Sequence, residues 1–362
     1  MPQNKQPKLV RISEKLQQNM QYVDELMGLE TNFDIIHRVI RLGDTDACMY
    51  LIDGFCKDEL MQKILQYLMN LKTENFPKDA HEMSKIAIPY VEVDLDDTWE
   101  KILGALLSGV FVLLLDGYEK AVLIDARTYP ARGVEEPDKD KVLRGSKDGF
   151  VETVVFNTAL IRRRIRSTDL HMEMLNAGEN SRTDIVLCYM ESRVDPKLLT
   201  QIRERIRSIQ VDALAMNQES LAECLYQRKW YNPFPKFKYT ERPDTAAAQV
   251  LEGNLVILVD NSPSAMILPT TIFDVVEEAD DYYFPPVTGT YLRLTRFLIA
   301  LLTYFVTPTY LLLMNHRMWI PENLEFIILK EDPNVPLILQ FLLLELAIDG
   351  LRLAAVNTPN ML

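Results

Sequence analysis

Two apolar stretches decide the fold of this chain: VFVLLLDGYEKAVLID at residues 110–125 and LVILVDNSPSAMILP at residues 255–269. Each holds two runs of aliphatic and β-branched residues, separated by residues that favour turns. The turn is Asp116-Gly117 in the first stretch and Asp-Asn-Ser-Pro, residues 260–263, in the second. A short polar turn between two apolar runs predicts a β-hairpin in both places.

An internal repeat relates the two hairpins. When residue n is placed over residue n + 144, identical residues coincide, namely Leu107 with Leu251, Gly109 with Gly253, Val112 with Val256, Asp116 with Asp260 and Ala121 with Ala265. Earlier segments align at an offset of 138, with Thr45-Asp46 over Thr183-Asp184, Asp53 over Glu191 and Leu60 over Leu198. One loop insertion explains the change of offset. The repeat predicts a duplicated structural unit, and chance similarity between short apolar strands is the alternative.

Both copies have the same predicted order of elements. An amphipathic helix precedes a β-rich run, CMYLID at residues 48–53 or DIVLCYM at residues 184–190, and two helices then lead to the hairpin. In the second copy, Asp195-Pro196 is typical of a helix start. Mixed helices and strands predict the α/β fold class, as two tandem α/β subdomains at residues 1–147 and 148–290.

The chain from residue 291 onward has a different composition. Residues 297–315, FLIALLTYFVTPTYLLLMN, contain no charge. As a helix they would span roughly 28 Å, close to the hydrocarbon thickness of a bilayer. Pro308 lies within this run, and membrane helices tolerate proline better than soluble ones do. The run therefore predicts a transmembrane helix, with a buried core helix as the alternative.

A second apolar stretch, residues 333–344, precedes Glu345. By its length alone it would be interfacial or re-entrant. The chain then ends without a polar tail, so we expect residues 291–362 to be the start of a helical membrane domain that is truncated at its C-terminus.

The charge balance excludes some classes of protein. The formal net charge is −13, of which −12 falls in residues 1–290, and this argues against binding of nucleic acid. The four cysteines form no CxxC pair, which points to a reducing compartment and against structural zinc. There is no phosphate-binding loop, HExxH or GxSxG motif, and the four histidines are scattered. We therefore expect no enzyme activity, no cofactor and no metal site.

A polar motif joins the two predicted subdomains. Its glycines can expose backbone N–H groups and its arginines carry positive charge, so an anion-binding nest is one interpretation. The preferred interpretation is that the arginines pair with acidic side chains and fix how the subdomains meet. The candidate residues are Glu135, Glu136, Arg144, Gly145, Gly149, Arg162, Arg163 and Arg164.

A second candidate site lies near the C-terminus. Glu345, Asp349 and Arg352 are spaced i, i+4 and i+7, so a helix would place them on one face. Carboxylates within membrane helices usually face a bundle interior or water, and rings of them select cations. These residues are therefore a candidate ion pathway. The alternatives are a helix lying at the interface with this stripe in water, and simple neutralisation of Asp349 by Arg352.

Several segments in fixed order resemble the GerA-type spore germination proteins, the A subunits of germinant receptors of endospore-forming bacteria. They are VEEP, RGSKDGF, NTALIRRRI, TDIVLCYM, YTERPD and LEGNLVILVDNSP. The resemblance implies a cytoplasmic N-terminal region of two α/β subdomains and a multi-pass domain in the spore inner membrane. It also implies a homo-oligomeric complex that conducts cations, with the lipid bilayer and other germination membrane proteins as partners. The resemblance implies no active-site residues for this chain.

Two other classes of function remain open at this stage. The α/β region could sense a small molecule between its halves without forming a pore, or it could be a scaffold that recruits other germination proteins. Arg293 and Arg296 precede the predicted span and favour a cytoplasmic N-terminal side, whereas Arg317 and Lys330 after it weaken the contrast.

Overall fold

The chain divides into two compact units, which we call the head, Met1–Tyr283, and the tail, Phe284–Leu362. The computed structural model describes residues 10–129, 148–227, 232, 234–271, 274, 284–328 and 334–357. We call the described residues up to 129 the first half of the head and those from 148 to 274 the second half.

The first half is built on a five-stranded antiparallel sheet, sheet 1, with strand order β1-β2-β4-β5-β3. Its strands are β1 (Ile35–Leu42), β2 (Thr45–Ile52), β3 (Val93–Asp96), β4 (Phe111–Leu115) and β5 (Ala121–Ile124). Its helices are α1 (Leu16–Met27), α2 (Asp58–Met69), α3 (Ala80–Ile86) and α4 (Trp99–Leu107), with a 3₁₀ turn at Thr73–Asn75.

The second half is built on sheet 2, which is also five-stranded and antiparallel, with strand order β6-β7-β9-β10-β8. Its strands are β6 (Leu170–Ala177), β7 (Thr183–Met190), β8 (Lys238–Thr240), β9 (Leu255–Val259) and β10 (Ala265–Leu268). Its helices are α5 (Val154–Arg164), α6 (Pro196–Arg207), α7 (Gln218–Leu225) and α8 (Pro243–Glu252).

The strands of the two sheets pair in corresponding registers. Ala47 lies opposite Leu115 in sheet 1, and Ile185 lies opposite Val259 in sheet 2. These residues are related by the offsets of 138 and 144 that align the sequence. When the strands of each half are numbered from its own first strand, the two strand orders are the same.

Both faces of each sheet are covered by helices. In sheet 1, α1 and α4 pack on one face and α2 and α3 on the other. In sheet 2, α6 and α7 cover one face, and α5 and α8 the other. Every residue of β4 and β9 is consequently buried. This explains why the central strands are continuously apolar in the sequence instead of alternating.

The hairpin turns also hold the first helix of each half. The side chain of Asp116 accepts a hydrogen bond from the N–H of Leu16, at 2.9 Å. The side chain of Asp260 accepts the equivalent bond from the N–H of Val154, at 3.1 Å. Each aspartate thereby satisfies one of the unpaired N–H groups at a helix N-terminus.

The tail contains two long helices, α9 (Pro286–Asn315) and α10 (Leu337–Asn357). Among the described residues, α9 is the one helix long and apolar enough to cross a membrane, and Pro308 lies inside it. Helix α10 extends through Glu345 and is therefore much longer than the apolar run 333–344. The charges end that run but not the helix, because Glu and Arg are good helix formers.

Candidate functional site

Helix α5 belongs to the second half of the head and also packs against the first half. Ala159 belongs to the same apolar cluster as residues of α1 and α4 in the first half. Leu160 and Ile161 instead belong to a cluster of the second half. A Cβ added at Gly54, in the first half, would lie 3.3 Å from the Ala159 side chain. Apolar residues on opposite sides of α5 are thus used by different cores, which makes this helix a shared element.

Arg162 connects α5 to the first half through a fully buried ion pair. Its side chain is 0% exposed and that of Asp34 is 2% exposed. The Arg162 guanidinium donates from Nε to one Asp34 oxygen at 2.7 Å and from Nη2 to the other at 3.0 Å. Such a bidentate arrangement fixes orientation as well as distance. Nη1 also donates to the carbonyl oxygens of Ser167 and Leu170, so the buried cation is well satisfied.

The residues between α1 and β1 form the other side of this contact. We call Gly28–Asp34 the joint segment. The Asn32 side-chain amide donates to the carbonyl of Met27 at 2.6 Å, and its oxygen accepts from the N–H of Met172 at 2.7 Å. The N–H of Phe33 donates to the carbonyl of Met172 at 3.2 Å. Because Met172 lies on β6, the outermost strand, the joint segment bonds to the outer edge of sheet 2.

A histidine on β6 completes the joint. The His171 ring nitrogen Nδ1 lies 2.9 Å from the hydroxyl oxygen of Thr31, and the ring stacks on Tyr189. Burial lowers the pKa of His171 below its ordinary value, and nearby Glu191 partly opposes this. A Cβ at Gly28, which has φ +56°, would lie 2.7 Å from this ring. The close packing explains why glycine stands there.

The other two described arginines of the predicted motif, Arg163 and Arg164, also have partners. The Arg163 guanidinium lies 4.3 Å from the centre of the Tyr129 ring in the first half, within the range of a cation–π interaction. Arg164 pairs with Asp148 at 2.5 Å, next to the buried Gly149. The remaining residues of the predicted motif lie outside the described residues; they are Glu135, Glu136, Arg144 and Gly145.

Sequence reasoning missed three residues of this region. Asp34 and Asn32 follow no recognisable motif, because their partners are far away in the sequence. Arg242, in the segment YTERPD, has a fully buried side chain that pairs with Asp244 at 2.5 Å. The preceding Glu241 carbonyl accepts from the N–H of Phe150 at 2.9 Å. The segment therefore does more than start α8, whose first residue is Pro243.

The second candidate site lies on α10. Glu345, Asp349 and Arg352 are all exposed and belong to this single helix. Their spacing places them on one face. Leucines and isoleucines fill much of the remaining surface of α10 and are largely exposed.

A groove lies within the second half, lined by α6, α7 and β8. Arg205 lies 4.5 Å from the centre of the Tyr226 ring, and Tyr226 packs edge-on against Phe237. Lys236 and the exposed Cys224 also line it. The groove is separate from the joint, whose centre is filled by buried side chains.

Fold and site together define a two-part protein: a head of two α/β halves joined through a buried arginine–aspartate pair, and an apolar helical tail. The chain belongs to the Bacillus/Clostridium GerA spore germination protein family, whose sequence model matches residues 21–362.

Two relatives locate the chain within this family. It is 38% identical to stage V sporulation protein AF of Bacillus subtilis (strain 168), over 100% of this chain and 73% of that protein. It is 30% identical to the uncharacterized membrane protein YfkQ of the same organism, over 96% of this chain and 68% of that protein. The segments PSAMILPTTIFD and IDGLRLAAVNTPNML predict similarity to stage V sporulation protein AF in particular, and the higher identity confirms it.

A solved structure matches the head. It is the crystal structure of the N-terminal domain of the A subunit of the Bacillus megaterium spore germinant receptor GerK3. The match has a TM-score of 0.56 at 27% identity and covers 73% of this chain and 98% of that one. The α/β architecture of the head is thus shared with a germinant receptor subunit.

Proposed function

We propose that this chain is a non-enzymatic membrane subunit for spore germination that contributes to a homo-oligomeric, cation-conducting complex in the spore inner membrane. The observation that carries the proposal is the long uncharged run of α9 in a member of a spore germination family. The head would lie in the cytoplasm and the full-length tail would cross the membrane several times. Its partners would be the lipid bilayer, further copies of itself and other germination membrane proteins.

The geometry of α9 supports a membrane location. The helix has 30 residues, and its uncharged run matches the roughly 30 Å hydrocarbon layer of a bilayer. Large apolar side chains of α9, among them Phe305 and Tyr304, are more than half exposed. Exposed apolar surface of this extent is typical of contact with lipid or with other subunits. Arg293 and Arg296, which directly precede the uncharged run within α9, fit a cytoplasmic head.

The polar stripe of α10 supports the conducting role. Glu345 and Asp349 are one helical turn apart on the same face, with Arg352 beside them. In a symmetric oligomer each carboxylate would be repeated around the axis, and such rings attract cations. Carboxylates facing a shared aqueous path would avoid the cost of contact with lipid.

We also infer that the two halves, residues 1–147 and 148–290, derive from one duplicated unit and move as a single body. Support for the duplication comes from the matching strand orders, registers and helix-capping aspartates. Support for the single body comes from the buried pair of Arg162 and Asp34 and from the shared helix α5. If the two halves move together, a displacement of the head would reach the tail and would not be lost in motion between the halves.

Ion flux tests the proposed function directly. The full-length protein would be reconstituted in liposomes loaded with K⁺, and K⁺ release would be followed with an ion-selective electrode. We expect release that depends on protein density, and liposomes with the head alone are the control. Release no faster than in that control would contradict the conducting role.

Small-molecule sensing is the second candidate function, and the groove beside Tyr226 is the observation that favours it. Aromatic rings next to Arg205 and Lys236 suit a small ligand with an aromatic or acidic group. A thermal-shift screen of the head with metabolites tests this candidate. A hit that is lost in Arg205→Met would support it, whereas absence of any shift would favour the pore or a scaffold.

A further inference from the structure

The two edge strands of sheet 1 carry opposite charges. At one edge, strand β1 has the exposed side chains His37, Arg38 and Arg41. At the other edge, Asp94 in β3 and Glu92 just before it are exposed. Among the ion pairs formed by described residues, none involves Arg38, Arg41 or Asp94. One molecule therefore presents a basic strand edge and an acidic strand edge on the same sheet.

Both edges also present apolar surface. Val39 in the middle of β1 is 52% exposed, and Val91, just before β3, is 96% exposed. An exposed edge strand with apolar side chains is a template for pairing with another strand. Charges on an edge can also serve to prevent aggregation. Two edges with charge of the same sign would repel a second copy and so prevent aggregation, whereas edges of opposite sign attract a second copy.

The molecule already covers the corresponding edge of its other sheet. In sheet 2, the backbone of Met172 on β6 is bonded on its outer side by Asn32 and Phe33 of the joint segment. Met172 lies opposite Cys188, and in the corresponding register of sheet 1 His37 lies opposite Tyr50. Among the described residues outside β2, no backbone group bonds His37. Within the described part of the chain, the strand edge that is bonded at Met172 in the second half is thus left without such a bond at His37 in the first half.

We propose that β3 of one copy docks on β1 of the next, so that the heads associate head to tail through a continuous sheet. Strands β1 and β3 run in the same direction, because four antiparallel steps separate them. Copies in the same orientation would therefore pair β3 with β1 as parallel strands. Such a contact is heterologous, and heterologous contacts build rings when the rotation between copies closes. The inference rests on the proposed homo-oligomer and adds the surface through which the heads meet.

Crosslinking of the full-length protein in detergent tests this contact. Val39→Cys and Asp94→Cys are introduced together in a Cys224→Ser background, which removes the exposed native thiol, and a short bis-maleimide is added. We expect a ladder of covalent oligomers from the double variant and only dimers from a mixture of the two single variants. The matched control places cysteines at Asn176 and Tyr239, exposed positions on the edge strands of sheet 2, and should give no ladder.

Charge reversal provides a second arm. In a parallel contact with Val39 beside Asp94, His37 faces Glu92, so His37→Glu should lower the crosslinked fraction at least about tenfold, as expected when like charges face each other, and adding Glu92→Arg should restore it. Dimers from Val39→Cys alone would indicate β1–β1 pairing and overturn the proposal. A normal oligomer mass without a ladder would also overturn it while leaving the proposed function intact. Absence of any oligomer would contradict both.

Discussion

Arg162 of α5 and Asp34 of the joint segment, 128 residues apart in the sequence, form a bidentate ion pair in which neither side chain is more than 2% exposed. Removing one partner would leave an uncompensated buried charge, whereas removing both would not. This relationship makes the joint between the two halves testable by stability measurements on the head. A relative's N-terminal domain has been crystallised as a separate unit, so the head of this chain is a suitable object for them.

For the pair itself, we expect Asp34→Leu to destabilise the head by about 3–5 kcal/mol, because Arg162 would remain buried and unpaired. The double variant Asp34→Leu with Arg162→Met should recover much of that loss. Urea unfolding of the head measures both. Arg164→Met is the control, since its pair with Asp148 is partly exposed and should contribute about 1 kcal/mol or less. Equal losses in the single and double variants would contradict the coupling.

The joint should weaken at low pH through His171. Its pKa is lowered by burial from the ordinary 6.5, so the unfolded head binds the proton more readily than the folded head. The free energy of unfolding must then decrease as the pH drops below about 6.5, where the unfolded head begins to take up the proton. We expect His171→Gln to remove part of this slope between pH 7 and 5. The exposed His81→Gln serves as control, and an identical slope in His171→Gln and the parent would count against the assignment.

The two capping aspartates should have similar effects. Asp116→Ala and Asp260→Ala each remove the acceptor for an N–H at the start of a helix, and each should cost about 1 kcal/mol. Thermal unfolding of the head measures this, with the exposed Glu119→Ala in the same hairpin turn as control. If one of the two substitutions leaves the stability of the head unchanged, the two hairpin aspartates are not energetically equivalent.

Two glycines of the first half should respond in opposite ways to substitution by alanine. Gly109 has φ +96°, and a Cβ there would lie 2.5 Å from the Phe55 ring, so Gly109→Ala should destabilise the head by more than about 1 kcal/mol. Gly104 lies inside α4 and a Cβ there would meet nothing within 4 Å. Gly104→Ala should therefore stabilise by up to about 1 kcal/mol. A stabilising Gly109→Ala would show that the turn relaxes easily.

Local patterns in the sequence predict much of the head. The hairpin at Asp116-Gly117 and the helix start at Asp195-Pro196 appear where the sequence indicates them, because turn and cap preferences depend on neighbouring residues. The partner of Arg162 could not be predicted, since nothing near Asp34 marks it and the contact joins distant segments. The length of α10 was also missed, because apolar composition locates a hydrophobic run but not the end of a helix.

Single-channel recording of the full-length protein tests the central claim most directly, by comparing the parent with the double variant Glu345→Gln and Asp349→Asn. We expect the parent to conduct cations in preference to anions. The variant should insert and oligomerise normally but conduct less, because the carboxylates of α10 no longer attract cations. Absence of channels in the parent would contradict ion conduction, and unchanged conductance and selectivity in the variant would remove these carboxylates from the pathway.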